Sequence, residues 1–173
     1  HEAKRLRRLI DNLLAYSRIT DVADVYAFEP VRPDALVEQT MRDFASQLEF
    51  EHFDVQVDVP STLPPIRADR RAMSLALSNL VDNAIRYSGP RKHLSVSSRN
   101  GDRSVVLSVG DHGVGIPAEE IPLVTRKFFT GQRADRGGSG LGLAIVERIV
   151  ADHGGSLVIE SRVGEGTTVS IEL

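Results

Sequence analysis

Apolar positions recur along the first twenty residues at the spacing of a helix. Leu6, Leu9, Leu13 and Tyr16 follow steps of three and four, and Ile10 and Leu14 widen the stripe. Residues 1–19 are therefore expected to form an amphipathic helix whose apolar stripe needs a partner to cover it. Residues 20–33 read as a connector with a short strand near 28–31. A second helix is expected from Asp34, with Leu36, Val37, Thr40, Met41 and Phe44 turned inward. Val55, Val57 and Val59 alternate with Asp54, Gln56 and Asp58, the pattern of a half-buried strand, which Pro60 ends. A long helix is expected over 69–87, burying Met73, Ala76, Leu77, Leu80 and Ala84 and closed by Ser88-Gly89-Pro90. Strands near 94–99 and 104–109 flank Asn100-Gly101, a hairpin signal because both turn positions require positive φ. A glycine-rich stretch over 110–140 leads into a helix near 141–153, stopped by Gly154-Gly155. Two last strands, 157–161 and 167–173, are joined at Gly164-Glu165-Gly166, with Thr167, Val169, Ile171 and Leu173 on one face. These elements predict a two-layer α/β (α+β) sandwich: a mixed, largely antiparallel sheet covered by helices on one face and preceded by a short helix.

Bulk properties narrow the chemistry mainly by exclusion. The 173 residues suffice for one core of ordinary size. Apolar and charged fractions of 41% and 26% are those of a soluble globular protein. A net charge of −3 predicts no nucleic-acid partner, and the basic run Lys4, Arg5, Arg7, Arg8 reads as the solvated face of the first helix. The absence of cysteine excludes disulfides and thiolate metal sites. The five histidines are scattered, with no metal-ligand spacing among them. His112 and His153 read as solvent-facing residues of a loop and a helix end. No apolar run reaches membrane-spanning length, and no signal peptide is present in these residues.

Three features along the second half carry candidate chemistry. Asn79, Asn83 and Arg86 stand at i, i+4, i+7 on the long helix and share one stripe. Two amides and a guanidinium suit a Mg²⁺–polyphosphate site, because amide oxygen is a hard ligand and Arg complements phosphate charge. A solvated helix face accounts for the same spacing. Asp111-His112-Gly113-Val114-Gly115-Ile116-Pro117 follows a strand. Its carboxylate can accept from an exocyclic amine, and its glycines let backbone pass close to a flat ring. It is no dinucleotide fingerprint, since Ala118 stands where a third glycine belongs. Gly137-Gly138-Ser139-Gly140-Leu141-Gly142-Leu143 opens a helix. Small residues there leave backbone N–H groups facing outward at a helix N-terminus, a phosphate site or simply a flexible loop. No Walker A lysine and none of the protein-kinase motifs accompanies it.

The order of the three is more specific than any one. Asn-x-x-x-Asn on a helix, then Asp-x-Gly-x-Gly, then Gly-x-Gly-Leu-Gly-Leu resembles the ATPase fold shared by histidine kinases, gyrase, Hsp90 and MutL. LSNLVDNAIRYS resembles the N box of sensor histidine kinases, DHGVGIP the G1 box, GGSGLGLAIVERIVADHGG the G2 box and GEGTTVSIEL the closing strand. EAKRLRRLIDNLLAYSRI resembles the second helix of their dimerisation hairpin. The resemblance implies a remnant of that helix over 1–20, a connector over 21–32 and a catalytic ATP-binding domain of the Bergerat type over 33–173. It implies ATP and Mg²⁺ as cofactors, with Asn83 on the metal and Asn79 supporting the metal–phosphate site. Arg86 and Tyr87 would stand near phosphates and base. Asp111 would receive the adenine amino group, Gly113, Gly115 and Ile116 would shape the base pocket, and Thr167 would line it. Gly138, Gly140, Leu141 and Gly142 would offer backbone to the phosphates.

Residues 121–139 would be the ATP lid, with Arg126, Lys127, Arg133 and Arg136 as candidates for the γ-phosphate. The family's Phe-x-x-Phe lid motif is only half matched, by Phe128 and Phe129, since Thr125 holds the first position. Implied partners are ATP, a dimerisation hairpin of the same protein and a response regulator, in a homodimeric parent of the bacterial inner membrane with this domain cytoplasmic. His1-Glu2 lacks the setting of the family's phosphoacceptor, so these residues are not expected to autophosphorylate alone. Two other readings remain: a water-activating ATPase of the gyrase, Hsp90 or MutL kind, and a non-catalytic kinase-like nucleotide-binding module. The first wants a helix glutamate near Asn79, and residues 69–87 contain none.

Overall fold

A computed structural model describes residues 26–131 and 139–173. The expected helix over 1–20, the connector up to residue 25, and Arg133, Arg136, Gly137 and Gly138 lie outside the described residues. The elements run β1 (Phe28–Val31), α1 (Pro33–Phe50), β2 (Asp54–Asp58), β3 (Ile66–Asp69), α2 (Arg70–Tyr87), β4 (His93–Asn100), β5 (Val105–Asp111), a 3₁₀ turn (Ile121–Leu123), α3 (Gly142–Asp152), β6 (Ser156–Arg162) and β7 (Gly166–Glu172). Five strands form one sheet in the order β2-β4-β5-β7-β6, and β1 pairs with β3 in a separate antiparallel ribbon. Every pairing in the large sheet is antiparallel except β2 with β4. That pair is parallel because β3 and α2 intervene between its strands.

The helices cover one face of this sheet. Leu94 and Val96 of β4, Val105, Leu107 and Val109 of β5, and Val169 and Ile171 of β7 alternate inward against Leu36, Met73, Leu77, Ile145 and Ile149. Burying such side chains stabilises the fold by ~1.5–3 kcal/mol apiece. The opposite face carries Ser95, Ser97, Ser108, Thr168 and Ser170, whose hydroxyls tolerate water. The inward positions expected for α1 and α2 are buried, with Met41 partly so. Asp69 caps α2 by accepting from the Ala72 N–H at 2.9 Å. Gly154, at φ 74°, closes α3, as Gly155 N–H reaches the Val150 carbonyl at 2.9 Å.

Two local expectations differ from the structure. The β4–β5 hairpin forms, but not through an Asn-Gly turn. Asn100 still pairs with Val105, and neither Asn100 nor Gly101 has positive φ. Residues 101–104 make the turn instead, closed by Gly101 N–H on the Ser104 carbonyl at 2.8 Å. Ser104 Oγ in turn donates to Glu172 at 2.6 Å, anchoring the longer loop to β7. The strand of alternating valines is not half-buried: Val55 and Val57 are 37% and 50% exposed. Their register with Leu94 and Val96 turns them toward the helix layer. However, β2 is the sheet edge, and α1 leaves a groove there lined by Val37, Met41, Ala45, Val57 and Val59.

Candidate functional site

The site is built where α2, α3 and the loop after β5 converge. Asn79 and Asn83 lie one turn apart on α2, the first buried and the second half-buried. Asn79 Nδ2 donates to the Leu75 carbonyl at 2.9 Å, which fixes the amide orientation. A side chain at Gly142 would meet Asn79 Oδ1 at 3.2 Å and Asn83 Nδ2 and Oδ1 at 3.6 and 3.7 Å. The first residue of α3 is thus bare where two side-chain amides face it, leaving a cradle that even a methyl group would crowd. Among the described residues no side chain caps the N-terminus of α3. Its first-turn N–H groups therefore retain free donors and a partial positive charge. Leu141 itself is buried in the core, so it anchors the loop through its side chain and offers only backbone to a ligand. Ser139 Oγ lies 3.4 Å from its N–H.

Arg86 lies on the same stripe, with its guanidinium on Asp82 Oδ2 at 2.7 Å. Both side chains are about four-fifths covered. Asp82 is the only carboxylate on α2, and this ion pair engages it.

Asp111 ends β5 and pairs across the sheet with Leu94 on one side and Thr167 on the other, so all three project from the helix-covered face. Its Oδ1 accepts the Gly113 N–H at 2.7 Å. Burial pushes its carboxyl up from 3.8 to about 6, against the pull of backbone N–H groups from Gly113 and Thr167. Gly113 sits so close to the Tyr87 carbonyl and to Asp111 Oδ1 that any side chain there would overlap both. Val114 N–H donates to the same Tyr87 carbonyl at 3.1 Å. The loop is thereby laid over the C-terminal end of α2, and contact runs from Asp111 through Gly113 and Tyr87 toward Asn83 and Gly142.

The loop's far side rests on the β6–β7 hairpin. Gly115, with positive φ, packs directly on the Arg162 carbonyl, and Ile116 N–H donates to Ser161 Oγ at 2.8 Å. Ser161 Oγ also lies 2.8 Å from Thr167 Oγ1, so one serine orders both residues. Nothing in the spacing singled out Ser161; only the strand pairing of Ser161 with Thr167 reveals it.

Of the expected lid, Arg126 and Lys127 are exposed, and Phe128 is 70% exposed with φ 63°. Phe128 N–H donates to the Gly140 carbonyl at 2.9 Å, tying this segment to the glycine loop. The two histidines fare differently: His112 is exposed as expected, and His153 is not. His112 is exposed but stacks on His93, with centroids 4.4 Å apart. His153 is half-buried, with both ring nitrogens in hydrogen bonds.

Comparison with known proteins decides the family. Residues 68–173, more than half of the chain, match the model described as histidine kinase-, DNA gyrase B-, and HSP90-like ATPase. The chain belongs to this family. Within it, similarity runs to sensor kinases. The sensor-like histidine kinase SenX3 of Mycobacterium tuberculosis is 33% identical over 175 residues, 99% of this chain and 42% of SenX3. The chain thus spans less than half the length of that relative. Full-length ShkA in complex with AMPPNP superposes with a TM-score of 0.83 at 26% identity, over 97% of this chain and 35% of that one. Histidine kinase ThkA in complex with the response regulator TrrA superposes with a TM-score of 0.79 at 26% identity, over 99% of this chain and 48% of that one. The ATP-binding domain of this histidine-kinase branch accounts for the fold, strand order and helix layer.

Magnesium, which the family implies, finds a fitting donor set. Among the described residues no group of three or more His, Cys, Asp or Glu could hold a metal ion. The Asn79 and Asn83 amides beside Gly142 carry oxygens that suit a hard cation arriving with phosphate and water ligands.

Proposed function

We propose that this chain is the catalytic ATP-binding part of a protein-histidine kinase, transferring the γ-phosphoryl group of ATP to a histidine of a dimerisation hairpin for relay to a response-regulator aspartate. The observation that carries this reading is the uncapped start of α3 at Gly142, faced by the amides of Asn79 and Asn83. Polyphosphate would lie on those backbone N–H groups and on those of Gly138 and Gly140. Asn83 would hold Mg²⁺, and Asn79 would buttress it from one turn earlier. Magnesium, when bound with the nucleotide, neutralises phosphate charge. Asp111 would accept from the adenine amine, in a pocket shaped by Gly113, Gly115 and Ile116 and lined by Thr167 and Tyr87. Arg86 would add positive charge near the phosphates from its place on Asp82.

Phosphoryl transfer asks mainly for positioning and charge stabilisation. An imidazole nitrogen bonds to the γ-phosphorus while the bond to the β–γ bridging oxygen breaks. ADP leaves with that electron pair, and the imidazole proton passes to solvent. In this reading residues 1–20 are the end of the hairpin's second helix, residues 21–32 the connector and residues 33–173 the ATP-binding domain. The nucleotide in ShkA and the response regulator on ThkA support the same partners here. The parent would be a homodimer held at the bacterial inner membrane. Among the described residues no helix is long and apolar enough to cross a membrane.

A water-activating ATPase would need a carboxylate base near Asn79, and the one carboxylate on α2 is ion-paired to Arg86. The test supplies a phosphoacceptor hairpin in trans with ATP labelled at the γ-phosphate. Acid-labile label on the hairpin histidine is the expected result. Release of inorganic phosphate with an unlabelled hairpin would overturn the proposal in favour of hydrolysis.

A further inference from the structure

The two helices that build the phosphate end of the site also meet at their opposite ends, and the connector strand is clasped there. His153 follows the last turn of α3. Its Nδ1 lies 2.7 Å from the Ile149 carbonyl and its Nε2 lies 2.9 Å from the backbone N of Asp69. A backbone N–H can only donate, so Nε2 accepts, and the ring proton sits on Nδ1 facing the carbonyl. Asp69 is the cap of α2, with Oδ1 accepting from Ala72 N–H at 2.9 Å. Its other oxygen accepts from Ala27 N–H, also at 2.9 Å.

The connector completes the joint with its side chains. Tyr26 and Phe28 each bring a ring centroid to 4.9 Å from that of His153. Tyr26 donates its hydroxyl to Asp152 Oδ2 at 2.9 Å, and Arg148 holds the same carboxylate at 2.8 Å. Burial, then the hydrogen bond to Asp152, pushes the Tyr26 phenol up, so the hydroxyl stays a donor. Asn83 lies fourteen residues along α2 from Asp69, and Gly142 eleven residues back along α3 from His153. At 1.5 Å per residue the joint is about 16–21 Å from the phosphate end.

We infer that His153 is a positioning residue for nucleotide binding, and that it is the joint through which the connector at Tyr26–Phe28 sets the relative placement of α2 and α3. This deepens the proposed function and rests on it. Asn83 and the first turn of α3 belong to different helices, so nucleotide affinity depends on their offset. His153 is the side chain that hydrogen-bonds the start of one to the end of the other and also carries the connector's two aromatic rings.

The test measures the dissociation constant of a fluorescent ATP analogue with Mg²⁺ on the full 173-residue chain. It compares wild type, Tyr26→Phe, Phe28→Ala, His153→Leu and the double variant Tyr26→Phe/His153→Leu, each well below its melting temperature. A clasp that only stabilises the fold lowers melting temperatures and leaves the constant of the folded protein unchanged. The inference expects about three- to thirtyfold weaker binding in the single variants. It also expects the double variant to fall short of the product of its singles. Unchanged constants in folded variants, or fully multiplicative losses, would overturn it. If His153→Leu does not fold, Tyr26→Phe and Phe28→Ala decide alone by the same criterion. Failure of the wild type to bind would instead refute the proposed function.

Discussion

Asp111 is held where its charge is expensive and its hydrogen-bonding capacity is useful. Burial raises its carboxyl to about 6, against the pull of the Gly113 and Thr167 N–H groups. A carboxyl whose folded-state value is raised contributes stability that is full below its unfolded value of 3.8 and is lost as pH rises through about 6. Ligand binding runs the opposite way, because the ionised form is the better acceptor for an adenine amine. Asp111→Asn should therefore melt higher than wild type near neutral pH, by about 1–2 kcal/mol after allowing for partial exposure. It should also bind ATP about ten- to a hundredfold more weakly, the worth of a charge-assisted hydrogen bond. The wild-type affinity should fall on acidification through about pH 6, a limb the variant lacks. Thermal melts and titrations across that range check both signs, and a destabilised variant at neutral pH would contradict the account.

Among the elements, α2 and α3 were legible in the sequence to within a residue or two, because the apolar positions of α2 keep a helical period and glycines mark the end of both. The exposure of β2 was not legible, since alternation of valines records which face they share and not whether a helix reaches the sheet edge. The hairpin loop departs from its dipeptide signal because continued pairing at Asn100 and a tertiary anchor on Glu172 outweigh local turn preference. His153 was misread for a related reason. A residue at a helix end is solvent-facing only if nothing packs there, and the connector does.

The start of α3 yields a prediction in which stability and binding move apart. Alanine is favoured over glycine inside a helix by roughly 0.5–1 kcal/mol. Gly142→Ala should leave the fold as stable as wild type or slightly more so. Its methyl group would press on Asn79 Oδ1 and narrow the cradle, weakening ATP by about tenfold. Denaturant melts paired with titrations test this, and an alanine variant that binds like wild type would remove the cradle from the account.

At the scale of the whole molecule, one face of a five-stranded sheet is given to three helices among the described residues, and the proposed nucleotide site lies at one end of two of them. The order of the N, G1 and G2 boxes was readable because each needs particular residue types: amides, a carboxylate at a strand end, and bare backbone at a helix start. What joins them was not, because Ser161, Tyr87 and His153 act through backbone contacts between residues distant in the chain.

The central claim is that the Asn83–Gly142 cradle takes metal-bound polyphosphate while Asp111 takes the base. The most direct test is calorimetric titration of a non-hydrolysable ATP analogue into the wild type and Asn83→Ala, with and without Mg²⁺. Mg²⁺ is expected to tighten binding to the wild type by about tenfold or more, and Asn83→Ala to bind still but lose that gain. A wild type that fails to bind the analogue, or an Asn83→Ala variant that keeps the full magnesium effect, would contradict that claim.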